Sequence, residues 1–87
     1  MNKRGDLEYL HDIKKSIELI QGYVDNISQS EFIDNYSDIP WKRMAGMRDV
    51  LIHQYHGIDL EIVWQTINEV LPEVYSRIEY IIDELKE

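Results

Sequence analysis

The chain has 87 residues, no cysteine and a formal net charge of −8 at pH 7. A chain of this length is one domain with a small core, and at this size oligomerisation often supplies the missing burial. Without cysteine there are no disulfides or thiolate metal sites, and the acidic balance argues against a broad basic surface for nucleic acid.

The first amphipathic pattern is Leu7, Leu10, Ile13, Ile17, Ile20, Val24 and Ile27, stepping by three or four. It predicts a helix with a single buried stripe, in which Gly22 is a mild weakness and not a stop. Ser28-Gln29-Ser30-Glu31 reads as a capping box that restarts a short helical turn through Phe32 and Ile33. Residues 34–38 form a polar, turn-rich connection, and Pro40 stands where a new helix begins. That helix is predicted from Trp41 to about Tyr55, with Met44, Met47, Leu51 and Gln54 on one face and Gly57 as its C-cap. Asp59 caps the last helix, whose stripe is Leu60, Val63, Ile67, Val70, Val74, Ile78, Ile81 and Leu85. Pro72 falls inside this pattern and is expected to kink or divide the helix near Val70. No stretch alternates with period two.

The expected fold is all-α: a short bundle of three main helices plus a short turn, completed by dimerisation. No apolar run approaches the roughly 20 residues of a membrane span, and residues 1–6 have no apolar stretch behind them that could act as a signal peptide. Together with the absence of cysteine, these features give the expectation of a soluble cytoplasmic protein with no membrane partner.

The chemistry-bearing segment is Arg48-Asp49-Val50-Leu51-Ile52-His53-Gln54-Tyr55. On a regular helix Arg48 and Tyr55 lie within roughly 20° of each other, whereas Arg48 and His53 are about 140° apart. Either the helix distorts near His53 or two subunits share one cleft. Asp49 and His53 are one turn apart and can touch. Metal-free RNA cleavage needs a base for the 2′-hydroxyl, an acid for the leaving oxygen and a cation for the phosphorane charge. His53 titrates in the useful range for acid or base work, and Arg48 can hold a phosphate through two hydrogen bonds. Asp49 can fix the tautomer of His53, and His56 is a second titrating group nearby.

Plainer readings stand beside these. An Asp–His pair one turn apart is more often a surface contact. Arg48 can pair with an acidic neighbour, Tyr55 can be a packed or interface residue, and His11 a solvated one. Trp41 and Trp64 read as core anchors more readily than as stacking platforms. Glu61, Glu69, Glu73, Glu79, Asp83 and Glu84 read as a solvated helix face, without the Glu-x-x-His pairs of di-iron bundles. No metal or other cofactor is expected.

The order Pro40-Trp41, Ala45-Gly46-Met47-Arg48, His53-x-Tyr55 and Asp59-Leu60-x-x-Val63-Trp64 resembles the signature of HepT-like proteins. These are HEPN-domain toxins encoded beside a minimal nucleotidyltransferase antitoxin. The resemblance is specific over residues 39–72, and Tyr9-Leu10-His11-Asp12-Ile13 is similar to the family's opening helix. It implies a metal-independent endoribonuclease acting on RNA as a homodimer or higher homo-oligomer, with catalytic Arg48 and His53 and supporting Asp49. It also implies that Tyr55 is where the nucleotidyltransferase partner attaches AMP, placing bulk and negative charge beside Arg48. Lys42, Arg43, Arg48 and His53 cluster in sequence and, doubled by a dimer, would form a local cationic cleft in an acidic chain.

The chain departs from the family in one respect. A long helix expected between the first helix and the Pro-Trp segment is missing, since Asn35 runs almost directly into Tyr36-Ser37-Asp38-Ile39-Pro40. An alternative reading follows: a non-catalytic helical module that binds the nucleotidyltransferase or a nucleotide. A plain helical dimerisation domain would explain the apolar stripes but not the ordered motif.

Overall fold

The computed structural model describes residues 3–44, 46–53 and 59–86, with the side chains of residues 3, 4, 50, 52 and 53 outside that description. Every regular element among the described residues is helical. Helix α1 spans Lys3–Val24 and buries Ile17, Ile20 and Val24, with Leu7, Leu10 and Ile13 packed at the edge of the same core. At this level the 3–4 spacing of the sequence translates directly into packing.

Ser28 then caps α2, Gln29–Asp34. Its hydroxyl accepts from the Glu31 N–H at 3.2 Å while Glu31 Oε1 accepts from the Ser28 N–H at 3.5 Å, the reciprocal capping box. Two 3-10 turns follow, Tyr36–Asp38 and Trp41–Arg43. The continuous helix expected from Trp41 therefore does not form. Met44 leaves helical geometry (φ −122, ψ 71), Gly46 adopts φ 74, and α3 begins only at Met47, running to His53. A left-handed residue cannot continue a right-handed helix, so the chain breaks and re-enters.

Asp59 caps α4, Leu60–Gln65, by accepting from the Glu61 and Ile62 N–H groups at 3.2 and 3.3 Å. A π turn over Thr66–Val70 joins α4 to α5, Leu71–Lys86. The disturbance expected from Pro72 is thus a widening within a continuing rod. Pro72 has no N–H to donate to the Asn68 carbonyl, and its ring crowds that oxygen. Around the wide turn, Thr66 Oγ1 donates to Ile62 O at 2.8 Å and the Asn68 amide to Trp64 O at 2.9 Å.

The π turn also changes which residues face inward. Val63, Ile67 and Leu71 are all buried, each four residues from the next. In a strict α-helix Leu71 would drift about 80° past Val63. The i→i+5 turn underwinds the helix and cancels most of that drift. Beyond it the buried positions are Ile78 and Ile82, while Val70 and Ile81, expected in the stripe, are 43% and 44% exposed.

Helices α1 and α5 pack antiparallel. Lys14 Nζ lies 3.4 Å from Glu79 Oε2 and 5.4 Å above the Tyr75 ring, and the Tyr75 hydroxyl donates to Glu18 Oε2 at 2.6 Å. Phe32 from α2, Met44, and Met47 and Leu51 from α3 belong to the same buried core as Val63 and Ile67. Each of these side chains contributes about 1.5–3 kcal/mol of burial. Among the described residues no helix is long and apolar enough to cross a membrane.

Candidate functional site

Helix α3 is anchored by two apolar residues four positions apart. Met47 and Leu51, one turn apart, are 6% and 2% exposed. That spacing fixes the helix face and turns Arg48 and Asp49 outward, with side chains 51% and 70% exposed. Arg48 Nη1 lies 3.7 Å from Asp49 Oδ1, a loose surface pair. Asp49 stands in the first turn of α3, where a carboxylate suits the helix dipole. Lys42 and Arg43 are exposed on the 3-10 turn that leads toward α3.

An aromatic wall backs this surface. The Phe32 ring meets Tyr36 edge-on at 5.8 Å and Trp64 at 5.3 Å, and Tyr36 meets Trp41 at 5.2 Å. Trp41 Nε1 donates to the Tyr36 carbonyl at 3.0 Å, fixing the two rings relative to each other. Both tryptophans pack against the core. The Tyr36 hydroxyl is buried and has no hydrogen-bond partner of good geometry. Burial pushes its pKa above the ordinary phenol value, the Arg48 guanidinium pulls it back through its charge and a loose hydrogen bond, and the Asp49 carboxylate pushes it up again. Arg48 and Asp49 therefore both lie within electrostatic reach of the Tyr36 hydroxyl.

Of the residues singled out in the sequence, Arg48 and Asp49 come together on one exposed turn. His53 closes α3, five residues after Arg48, and its side chain lies outside the described residues. Tyr55 and His56 also lie outside them. His11 is exposed on α1, and Glu61, Glu69, Glu73, Glu79, Asp83 and Glu84 are exposed along the last rod. Sequence reasoning missed Tyr36, assigned to a polar connection. Its position four residues after Phe32 and five before Trp41 was the available signal.

Residues 7–81 match the family model described as Ribonuclease HepT-like. The chain belongs to the HepT-like ribonuclease family. Among curated proteins this HepT-like chain is 40% identical over 72 residues to "Putative RNase TTE0752" of Caldanaerobacter subterraneus subsp. tengcongensis, covering 83% of this chain and 63% of that one. It is 39% identical over 85 residues to "Putative RNase MJ0127" of Methanocaldococcus jannaschii, covering 91% of this chain and 69% of the relative. It is 30% identical over 105 residues to "Probable ribonuclease HepT" of Thermococcus cleftensis, covering 88% of this chain and 96% of the relative. The HepT-like chain thus spans less than two thirds of the first of these proteins. The third alignment is longer than the 87 residues of this chain, so that relative holds internal sequence that this chain passes over. This agrees with an α2 of only six residues where a long family helix was expected. No solved structure matches.

Proposed function

We propose that the protein is a metal-independent endoribonuclease of toxin type, acting as a homodimer whose cleft combines Arg48 and His53 from two copies. The carrying observation is the placement of both residues on the seven-residue helix α3, with Arg48 exposed at its start and His53 at its end. Regular winding separates them by about 140°, so a second copy is the simplest way to bring both kinds of side chain to one phosphate. Family membership and the RNase names of the relatives support the choice of RNA as substrate.

In this reading one imidazole removes the proton of a 2′-hydroxyl. The 2′-oxygen bonds to phosphorus as the bond to the 5′-oxygen breaks, and an acid returns a proton to that leaving oxygen. Arg48 holds the non-bridging oxygens and balances the charge that develops on them. Asp49, one turn before His53, would fix the tautomer of that imidazole. Tyr55, two residues beyond His53, is the proposed acceptor of AMP from a nucleotidyltransferase antitoxin, which would silence the cleft with bulk and negative charge.

The shortened α2 favours a second reading, a module that docks the nucleotidyltransferase or a nucleotide and no longer cuts. RNA cleavage with chelator present separates the two. Cleavage by the parent, lost in Arg48→Ala and His53→Ala variants of unchanged helicity, supports the ribonuclease. No cleavage by folded parent protein supports the docking module.

A further inference from the structure

The Tyr36 hydroxyl is buried and makes no hydrogen bond of good geometry, yet it interacts with the guanidinium of Arg48, the residue proposed to hold the scissile phosphate. Buried polar atoms in folded proteins almost always find partners, so an orphan of this kind asks for an explanation. The ring that carries it is fixed in place. Phe32 abuts it edge-on, Trp41 lies 5.2 Å away, and the Trp41 indole is itself tied to the Tyr36 main chain. Phe32 in turn is fully buried and packed on Trp64 of α4. The hydroxyl is thus a rigid polar point on an apolar wall.

Arg48 is the opposite kind of group: long, half exposed, and paired with Asp49 across 3.7 Å. A small rotation of its side chain would bring its loose contact with the Tyr36 hydroxyl to good hydrogen-bond geometry. The phenol oxygen would accept one guanidinium N–H, leaving the remaining N–H groups in one plane for a phosphate.

We infer that Tyr36 is a positioning residue for Arg48, its wall-mounted hydroxyl fixing the plane of the guanidinium that faces the substrate. Its consequence for catalysis rests on the ribonuclease reading above. Asp49 cannot serve this purpose as well, because its carboxylate is 70% exposed to solvent on the same surface turn. A group that must meet a phosphate in one orientation gains more from a rigid neighbour than from a solvated one.

The test compares the full chain with its Tyr36→Phe variant, which keeps the ring and removes one oxygen. Nitrogen-15 NMR of the Arg48 Nε–Hε group reports guanidinium rotation and exchange with water, with exposed Arg77 as the internal reference. The expected result is slowed rotation and exchange at Arg48 in the parent and Arg77-like behaviour in the variant. On RNA, kcat is expected to fall roughly tenfold with KM changed less than about twofold, as for a group held but misaimed. A merely structural role would lower the melting temperature and leave the Arg48 signal as it was, which overturns the inference. So does a variant that cuts as fast as a cleaving parent. If the Arg48 signal responds as expected and neither protein cuts RNA, the positioning contact stands and the ribonuclease reading falls.

Discussion

Arg48 Nη1 stands 3.7 Å from the carboxylate of its own sequence neighbour, Asp49, on the exposed first turn of α3. At that distance and exposure the pair adds little to stability. It does place an anion beside the cation proposed to meet RNA. Asp49→Asn is expected to leave the melting temperature within about two degrees, consistent with a surface change of a few tenths of a kcal/mol. Binding of a non-cleavable 2′-O-methyl RNA should tighten roughly twofold to fivefold at low salt and converge with the parent at high salt. Equal binding at both ionic strengths would show that Asp49 does not compete for Arg48.

Gly46 holds φ 74 immediately before α3, and a methyl group placed on it would meet nothing within 4 Å. Space is therefore not the constraint; the backbone is. Gly46→Ala is expected to cost roughly 1–2 kcal/mol, the strain of a left-handed L-residue. Chemical denaturation would read this as a lowered midpoint with an unchanged slope. An unaltered midpoint would mean that the entry to α3 does not need the left-handed residue.

Phe32 is fully buried and touches Tyr36 and Trp64. Phe32→Ala is expected to cost about 3–5 kcal/mol. For a chain of this size that is comparable to its whole stability. The far-ultraviolet circular dichroism of the variant at 25 °C should show lost helix. A fully helical variant would indicate that the end of the bundle near α3 is held by other contacts.

The alkaline limb of stability carries a sign that can be checked. The Tyr36 phenol is held above its ordinary value of 10.0 by burial, and the Tyr75 phenol by its hydrogen bond to Glu18. An acid whose folded-state value is raised keeps its proton in the fold while the unfolded chain releases it. The unfolded chain then binds fewer protons, so stability falls as the pH climbs through about 10 toward the folded-state values. Lys14 is also raised, with burial acting downward and the hydrogen bond to Glu79 upward, so its ion pair is lost in the same direction. Thermal melts between pH 8 and 11 should decline less steeply for Tyr36→Phe and for Tyr75→Phe than for the parent. Parallel declines in all three would count against these assignments.

How much of this was legible in the sequence depended on how far each determinant reached. The capping box at Ser28 and Glu31 and the cap at Asp59 are contained within four residues, and both were read as they stand in the structure. The stripe of α1 was equally plain, because an uninterrupted helix converts spacing into a face. The helix expected from Trp41 failed at Gly46, whose backbone angle no periodicity reports. Val70 and Ile81 belong to a 3–4 spacing carried straight across the break expected near Val70, and the π turn there shifts the phase of that spacing. Tyr36 went unread for a different reason. Its significance comes from Phe32, Trp41 and Arg48 converging on it in space, and the polar residues around it in sequence pointed to a solvated connection. Arg48 and Asp49 were found by order and spacing, and the structure adds that they face each other.

The wide turn at Thr66–Val70 has a consequence for how this chain can vary in length. An insertion or deletion in an ordinary helix rotates everything downstream by about 100°, which in α1 would turn Ile17 and Ile20 out of the core. A π turn is in effect an α-helix carrying one supernumerary residue, with the windings on either side still in phase. Removing a residue there restores ordinary winding and leaves Val63 and Ile78 on the faces they now occupy. Length polymorphism in the last rod should therefore be tolerated next to Pro72 and purged along α1.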